Sequence, residues 1–199
     1  MNSTQSLYIV RHGQSIANAS RVMQGWFNTP LSARGQQEVL RLKRFLPVNV
    51  PIIASDLDRA RQTAEILRGE GQPVVWESRL READVGDWQG RPKAELIHQW
   101  DWQNYMTNPE HFQFPNGEAL SAVAQRLLEV IEEISNPAAV LVTHRLALRT
   151  LLSGLTQNWS NLHQITIPNA SITRLVRVFG HTWDIQTVGW VPRLESIHD

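Results

Sequence analysis

The sequence predicts an α/β fold: a three-layer αβα sandwich with a largely parallel central sheet and a small helical or irregular lid insert. Three observations carry this expectation. Short apolar runs rich in β-formers recur at residues 7–10, 52–54 and 138–142, the pattern of strands buried on both faces. Between them, apolar residues recur at helical spacing, and strands alternating with helices build layered sheets. The 199 residues, 42% hydrophobic and 19% charged, suit one domain over 1–199 with a sizeable core.

The elements follow in order. The run 7–10 stops at Arg11 and is preceded by a polar stretch, which makes it a strand and not a signal peptide. Ser32 caps a helix from Ala33 to about Phe45, with Val39, Leu42, Phe45 and Leu46 on one stripe, and Pro47 ends it. Ile52–Ala54 is the next strand, and a helix over 57–68 closes at Gly69 and Gly71. Val74–Trp76 reads as a third strand. Residues 81–117 are irregular, punctuated by Gly86, Gly90, Pro92, Pro109 and Pro115, with one helix over 93–105. The stretch 118–134 is an amphipathic helix with Leu120, Val123, Leu127, Val130, Ile131 and Ile134 inward. The clearest buried strand, 138–142, leads into a helix over 146–155. Late strands are expected at 165–167, 171–178 and 182–188, the last two a hairpin turning at Gly180. No internal repeat, low-complexity stretch or linker interrupts the chain.

Composition narrows the chemistry. Lys+Arg and Asp+Glu are both 19, so a phosphate-backbone binder is not expected, although a local basic pocket is compatible with the balance. The chain has no cysteine, which removes disulfides, thiolate zinc sites and cysteine nucleophiles and suits a reducing cytoplasm. No apolar run approaches the roughly 18 residues a membrane span needs.

In parallel sheets, ligands sit beyond the carboxyl ends of strands. Three predicted strand exits carry Arg11-His12-Gly13, Ser55-Asp56-Leu57-Asp58-Arg59 and Thr143-His144-Arg145. Singly, each histidine reads as a turn residue. Together, the cations would repel one another unless an anion joined them. Phosphate fits, because arginine grips its oxygens with paired donors and Gly13 lets the backbone approach closely. A neutral imidazole can also attack phosphorus and form a covalent intermediate, provided a cationic clamp and a proton donor stand by. Glu82, after the third predicted strand, is a carboxyl near the same edge. The alternative for Glu82 is a salt bridge to an arginine such as Arg81.

These residues resemble the signature of the histidine phosphatase superfamily, the phosphoglycerate-mutase-like enzymes. The resemblance rests on Arg11-His12-Gly13-Gln14-Ser15 with Asn18, and on Met23-Gln24-Gly25-Trp26 with Thr29-Pro30-Leu31-Ser32 and Gly35. It continues through the run from Ser55 to Ala64, Leu80-Arg81-Glu82 with Gly86-Asp87-Trp88-Gln89-Gly90, and Val142-Thr143-His144. It implies that His12 is the nucleophile and that Arg11, Arg59 and His144 hold the phosphate. It further implies that Glu82 is the general acid, that Asn18 adds a neutral donor, and that Gln24 and Gly25 lie beside the substrate. No metal and no cofactor are implied, and the expected partner is a small phosphomonoester. The phosphatase branch is favoured over a mutase, because only residues 83–143 separate Glu82 from His144 and a short lid shields phosphohistidine poorly from water.

Four further points are expectations. Asp56-Leu57-Asp58 has the look of the DxD of aspartyl-phosphate, Mg²⁺-dependent phosphatases, but Arg59-Ala60 follows where Thr or Val is wanted. A binding module that kept the fold and lost catalysis is the other alternative, against which the set is complete. Arg145 departs from the family, where glycine usually follows the second histidine; it either turns outward to solvent or leans over the pocket mouth, where it contacts a second anionic group or narrows access. Finally, the insert at about 93–117, with Trp100, Trp102, Tyr105, Phe112 and Phe114, is expected to select the leaving group, the alternative being ordinary packing of a small subdomain. One of Trp100 and Trp102 should face the core and the other the pocket.

Overall fold

A computed structural model describes residues 4–178 and 182–192. Six strands form one sheet in the order β3-β2-β4-β1-β5-β6: β1 Thr4–Arg11, β2 Ile52–Ala54, β3 Val74–Trp76, β4 Ala138–Thr143, β5 Ser171–Val178 and β6 Asp184–Trp190. β3, β2, β4 and β1 are mutually parallel, β5 runs against β1, and β6 runs against β5. Only β5 opposes the rest. The expected fold class holds.

Period-2 alternation divides the core. Val10 of β1 and Val140 and Val142 of β4 face one layer, against helices α2 (Ala33–Lys43) and α3 (Asp58–Leu67), through Val39, Leu42, Ala60 and Ala64. Leu7, Ile9, Ala139 and Leu141 face the other, against α6 (Leu120–Glu133) and α7 (Arg145–Thr156). All six inward residues expected of the 118–134 stretch are buried. Ser32 caps α2 by accepting from the Gly35 amide, and Ser15 caps the short α1 (Ile16–Ala19).

Four expectations need correction. Phe45 lies past the end of α2 and is exposed, edge-on to Trp190, so it is not on the buried stripe. Residues 165–167 form no strand. Their carbonyls are taken by side chains instead: Ile165 accepts from Arg149 and Ile167 from Arg11. The single helix over 93–105 is two, α4 (Lys93–Leu96) and α5 (Trp100–Thr107), broken by an extended Gln99. On one continuous helix Tyr105 would sit about 180° from Leu96, yet both are buried, and the break lets both reach the core. The last strand begins two residues later than expected, at Asp184, and the turn placed at Gly180 lies outside the described residues.

Candidate active site

Register brings the two histidines together. Arg11 of β1 pairs with Thr143 of β4, and His12 and His144 are each the next residue. Their rings stand 5.0 Å apart between centroids. β2, on the other side of β4, delivers Ser55 beside them and then Arg59 in the first turn of α3. Gly13 is required where the chain leaves β1, because a Cβ there would lie 2.5 Å from the Gly35 carbonyl oxygen.

Hydrogen bonds define both imidazole tautomers. His12 Nδ1 lies 2.7 Å from the Gly13 carbonyl oxygen, which can only accept, so Nδ1 carries the proton and the Nε2 lone pair is free. His144 Nδ1 accepts from Arg59 Nε at 3.1 Å, so its proton sits on Nε2, which donates to Ser55 Oγ at 2.8 Å. Burial, then Arg59 and other cationic neighbours, hold both rings well below the ordinary histidine value. Both are neutral.

The cations are buried and oriented. Arg59 also donates to the carbonyls of Gly25 (2.7 Å) and Phe27 (3.2 Å). Arg11 donates to Ile167, while its buried Nε has no hydrogen-bond partner among the described residues. Burial, then Arg145, pushes the Arg11 guanidinium down to about 9, and burial pushes Arg59 down to about 10. Cations held this far out of water call for an anion.

Glu82 faces the first turn of α7. Its carboxylate accepts from the amides of Ala147 (2.8 Å), Leu146 (3.2 Å) and its neighbour Ala83 (3.1 Å). Arg81 does not pair with it, being bound bidentately to Asp56. The loop carrying Glu82 is pinned by Arg126, which reaches the carbonyls of Arg79, Arg81 and Glu82, and by Trp26 Nε1 on the Glu82 carbonyl. Nothing in the sequence marked Arg126, since its partners lie far from it along the chain.

A cavity of about 310 Å³ joins these groups. It is lined by Arg11, His12, Asn18, Gln24, Gly25, Arg59, Glu82 and Arg145; His144, fully buried, lies behind it against His12. Asn18 Oδ1 accepts from the Ser15 amide and Asn169 Nδ2, which leaves its own Nδ2 free to donate. Gln24 lines the cavity, but its amide is spent on Ser15 and Thr29. Gly25 adopts φ +51, and a Cβ would meet Val85 at 2.6 Å. Asp56 and Asp58 are not among the lining residues. Arg145 is among the residues that line the cavity.

Sequence reasoning missed Lys93, Arg149 and His163, all of which line the cavity. Arg149 lies one turn beyond Arg145 on the same helical face, a spacing that could have found it. The insert also differs from expectation. Trp100 is 80% exposed and does not line the cavity. Trp102 does both jobs, lining the cavity and stacking 5.5 Å from Trp88. Phe112 and Phe114 are buried around the same Trp88.

Comparison with known proteins gives the family and the fold. The family model of the histidine phosphatase superfamily (branch 1) matches residues 7–191. A probable phosphoglycerate mutase GpmB of Erwinia tasmaniensis is 30% identical over 204 residues, 96% of this chain and 95% of that protein. The solved structure of Bacillus stearothermophilus YhfR superposes with a TM-score of 0.86 at 31% identity, covering 94% of this chain and 98% of that one. A mycobacterial glucosyl-3-phosphoglycerate phosphatase superposes at 0.80 with 27% identity, covering 94% and 99%. No helix among the described residues is long and apolar enough to cross a membrane. The chain belongs to the histidine phosphatase superfamily, branch 1, and is a phosphatase-type enzyme of it.

Proposed function

We propose that the protein hydrolyses a small phosphomonoester through a phosphohistidine on His12. The observation that carries this reading is the tautomer of His12. With Nδ1–H held by Gly13, the free Nε2 lone pair of a neutral ring is the nucleophile, and no proton must leave first. Nε2 attacks phosphorus and the ester P–O bond breaks. Arg11, Arg59 and Asn18 donate to the equatorial oxygens, where the charge of the transition state develops. Glu82, carrying a proton, gives it to the departing alkoxide. Water then attacks the phosphohistidine, loses its proton to Glu82, and releases inorganic phosphate with His12 restored.

Hydrolysis is preferred over mutase transfer because the roof is made of two short helices, α4 and α5, a small shield for an intermediate that a mutase must keep from water. The relative named as a glucosyl-3-phosphoglycerate phosphatase supports the same choice. Rapid quenching with ³²P-labelled substrate should leave acid-labile, base-stable label on the protein and none on His12→Ala. Label persisting on that variant overturns the assignment. Activity should survive EDTA, and its loss would favour the aspartyl-phosphate alternative. We place the protein, as one domain over 1–199 with an insert at about 93–117, in the cytoplasm.

A further inference from the structure

The cavity holds more positive charge than one phosphoryl group can use. Five cations line it, Arg11, Arg59, Lys93, Arg145 and Arg149, against the single carboxylate of Glu82. A phosphoryl dianion offsets Arg11 and Arg59, and Glu82 offsets one more only when ionised, none in the protonated form that the acid step needs. The remainder comes from α7 and the start of α4.

Outside the cavity the described cations divide: Arg21, Arg41, Lys43, Arg44, Arg61 and Arg174 have no carboxylate partner, and the arginines at 34, 68, 79, 81, 91, 126 and 177 do. None of the five cavity cations does. Lys93 and Arg145 have no side-chain hydrogen bond within the described residues, and Arg149 uses only Nε, on the Ile165 carbonyl at 2.7 Å. Arg145 opens α7, where the helix end disfavours a cation, and Arg149 repels it from one turn along the same face. Burial, then Arg145, Arg11 and Arg149, pushes the Lys93 ammonium down to about 8, so the three groups share one space. Folding alone would not retain such an arrangement.

We infer that Lys93, Arg145 and Arg149 form a second anion subsite, so that the substrate is a phosphomonoester whose alcohol portion carries a further negatively charged group. The inference rests on the hydrolase reading above for the position of the reacting phosphate. Carboxylate and phosphate are both served by this donor set, since two guanidinium groups and an ammonium grip the oxygens of either.

The test compares three esters: glycerol 1-phosphate, which lacks a second anion, 3-phosphoglycerate, which adds a carboxylate, and glycerol 1,3-bisphosphate, which adds a phosphate. Phosphate release gives kcat/KM, and calorimetry with His12→Ala gives Kd for each. The wild type should favour at least one doubly anionic ester by about tenfold or more in kcat/KM, and Kd should follow. Which one wins identifies the group. Arg145→Gln and Arg149→Gln should each shrink that ratio several-fold, mainly through KM. The Arg145→Gln midpoint should be held or raised because like-charge repulsion is relieved, whereas Arg149→Gln also loses the bond to the Ile165 carbonyl and should lower it. A wild-type preference below twofold in both measurements overturns the subsite, as does a preference unchanged in both variants. The two readings fail separately. Hydrolysis of none of the three esters, nor of p-nitrophenyl phosphate, would remove the hydrolase reading, while the Kd ratios would still decide the subsite.

Discussion

The cavity has a floor and a roof, and the two are built by different rules. On the floor, His12 and His144 follow directly from paired residues of adjacent parallel strands, and Arg59 is braced by His144, Gly25 and Phe27. The histidines are positioned by a backbone ladder that extends through the core, and Arg59 by the first turn of α3 behind β2. On the roof, Lys93, Trp102, Tyr105 and Met106 come from two short helices whose anchor is the aromatic cluster around Trp88. Contacts of that kind depend on side-chain volume rather than on register, so the roof can change without moving the floor. The difference predicts that floor substitutions act on kcat and roof substitutions on stability and selectivity.

The largest effect should come from Arg59→Lys. Lysine keeps the charge but cannot bond His144, Gly25 and a phosphate oxygen together, so kcat should fall by about 10² to 10³. A loss of less than tenfold would mean that charge alone suffices and that the bracing is incidental. Next comes Glu82→Gln. Rate with an alkyl phosphate should drop by about 10² or more, because the leaving oxygen needs a proton. Rate with p-nitrophenyl phosphate should drop far less. Equal losses on both substrates would remove Glu82 from the acid role.

The same division explains what could be read from the sequence. The floor was legible because strand exits carry their residues at fixed places: an apolar run, then Arg11-His12 or Thr143-His144, with Arg59 in the first turn of the helix that follows β2. The roof was not. The split between α4 and α5 arises because Leu96 and Tyr105 must both be buried, a tertiary demand that overrides local helical propensity. Residues 165–167 have a strand's composition, but cavity arginines claim their carbonyls. Arg126 gave no local signal, since it acts on carbonyls 44 to 47 residues away.

A pair of roof substitutions sharpens the contrast. Trp102→Ala removes a half-buried indole stacked on Trp88 and should cost about 3 kcal/mol in urea unfolding. It should also alter discrimination between aromatic and small polar phosphates, since Trp102 lines the cavity. Trp100→Ala, at an exposed position, should stay within about 0.5 kcal/mol and leave selectivity unchanged. If the two variants behave alike, the assignment of core and solvent faces on α5 is wrong.

The smallest effect, on the floor, is a pH dependence of stability. His12 and His144 are held well below the ordinary imidazole value, first by burial and then by Arg59, with Arg11 adding to both and Arg145 to His12. The folded chain therefore keeps both rings neutral where the unfolded chain takes up protons. The stability tied to this is fully present above about pH 6.5, the unfolded value, and is lost as pH falls toward the folded one. Between pH 6.5 and 5.5 each ring should contribute a loss of about 1 kcal/mol. His163 is lowered too, by burial, so the wild-type slope is shared among three rings. Urea unfolding at pH 7.5, 6.5 and 5.5 separates them, because His12→Asn should remove about 1 kcal/mol of the drop without a change at pH 7.5 in its pH-independent part. An unaltered slope in His12→Asn would mean that this imidazole titrates alike in both states. It would then lack the buried, neutral character on which its free Nε2 lone pair depends.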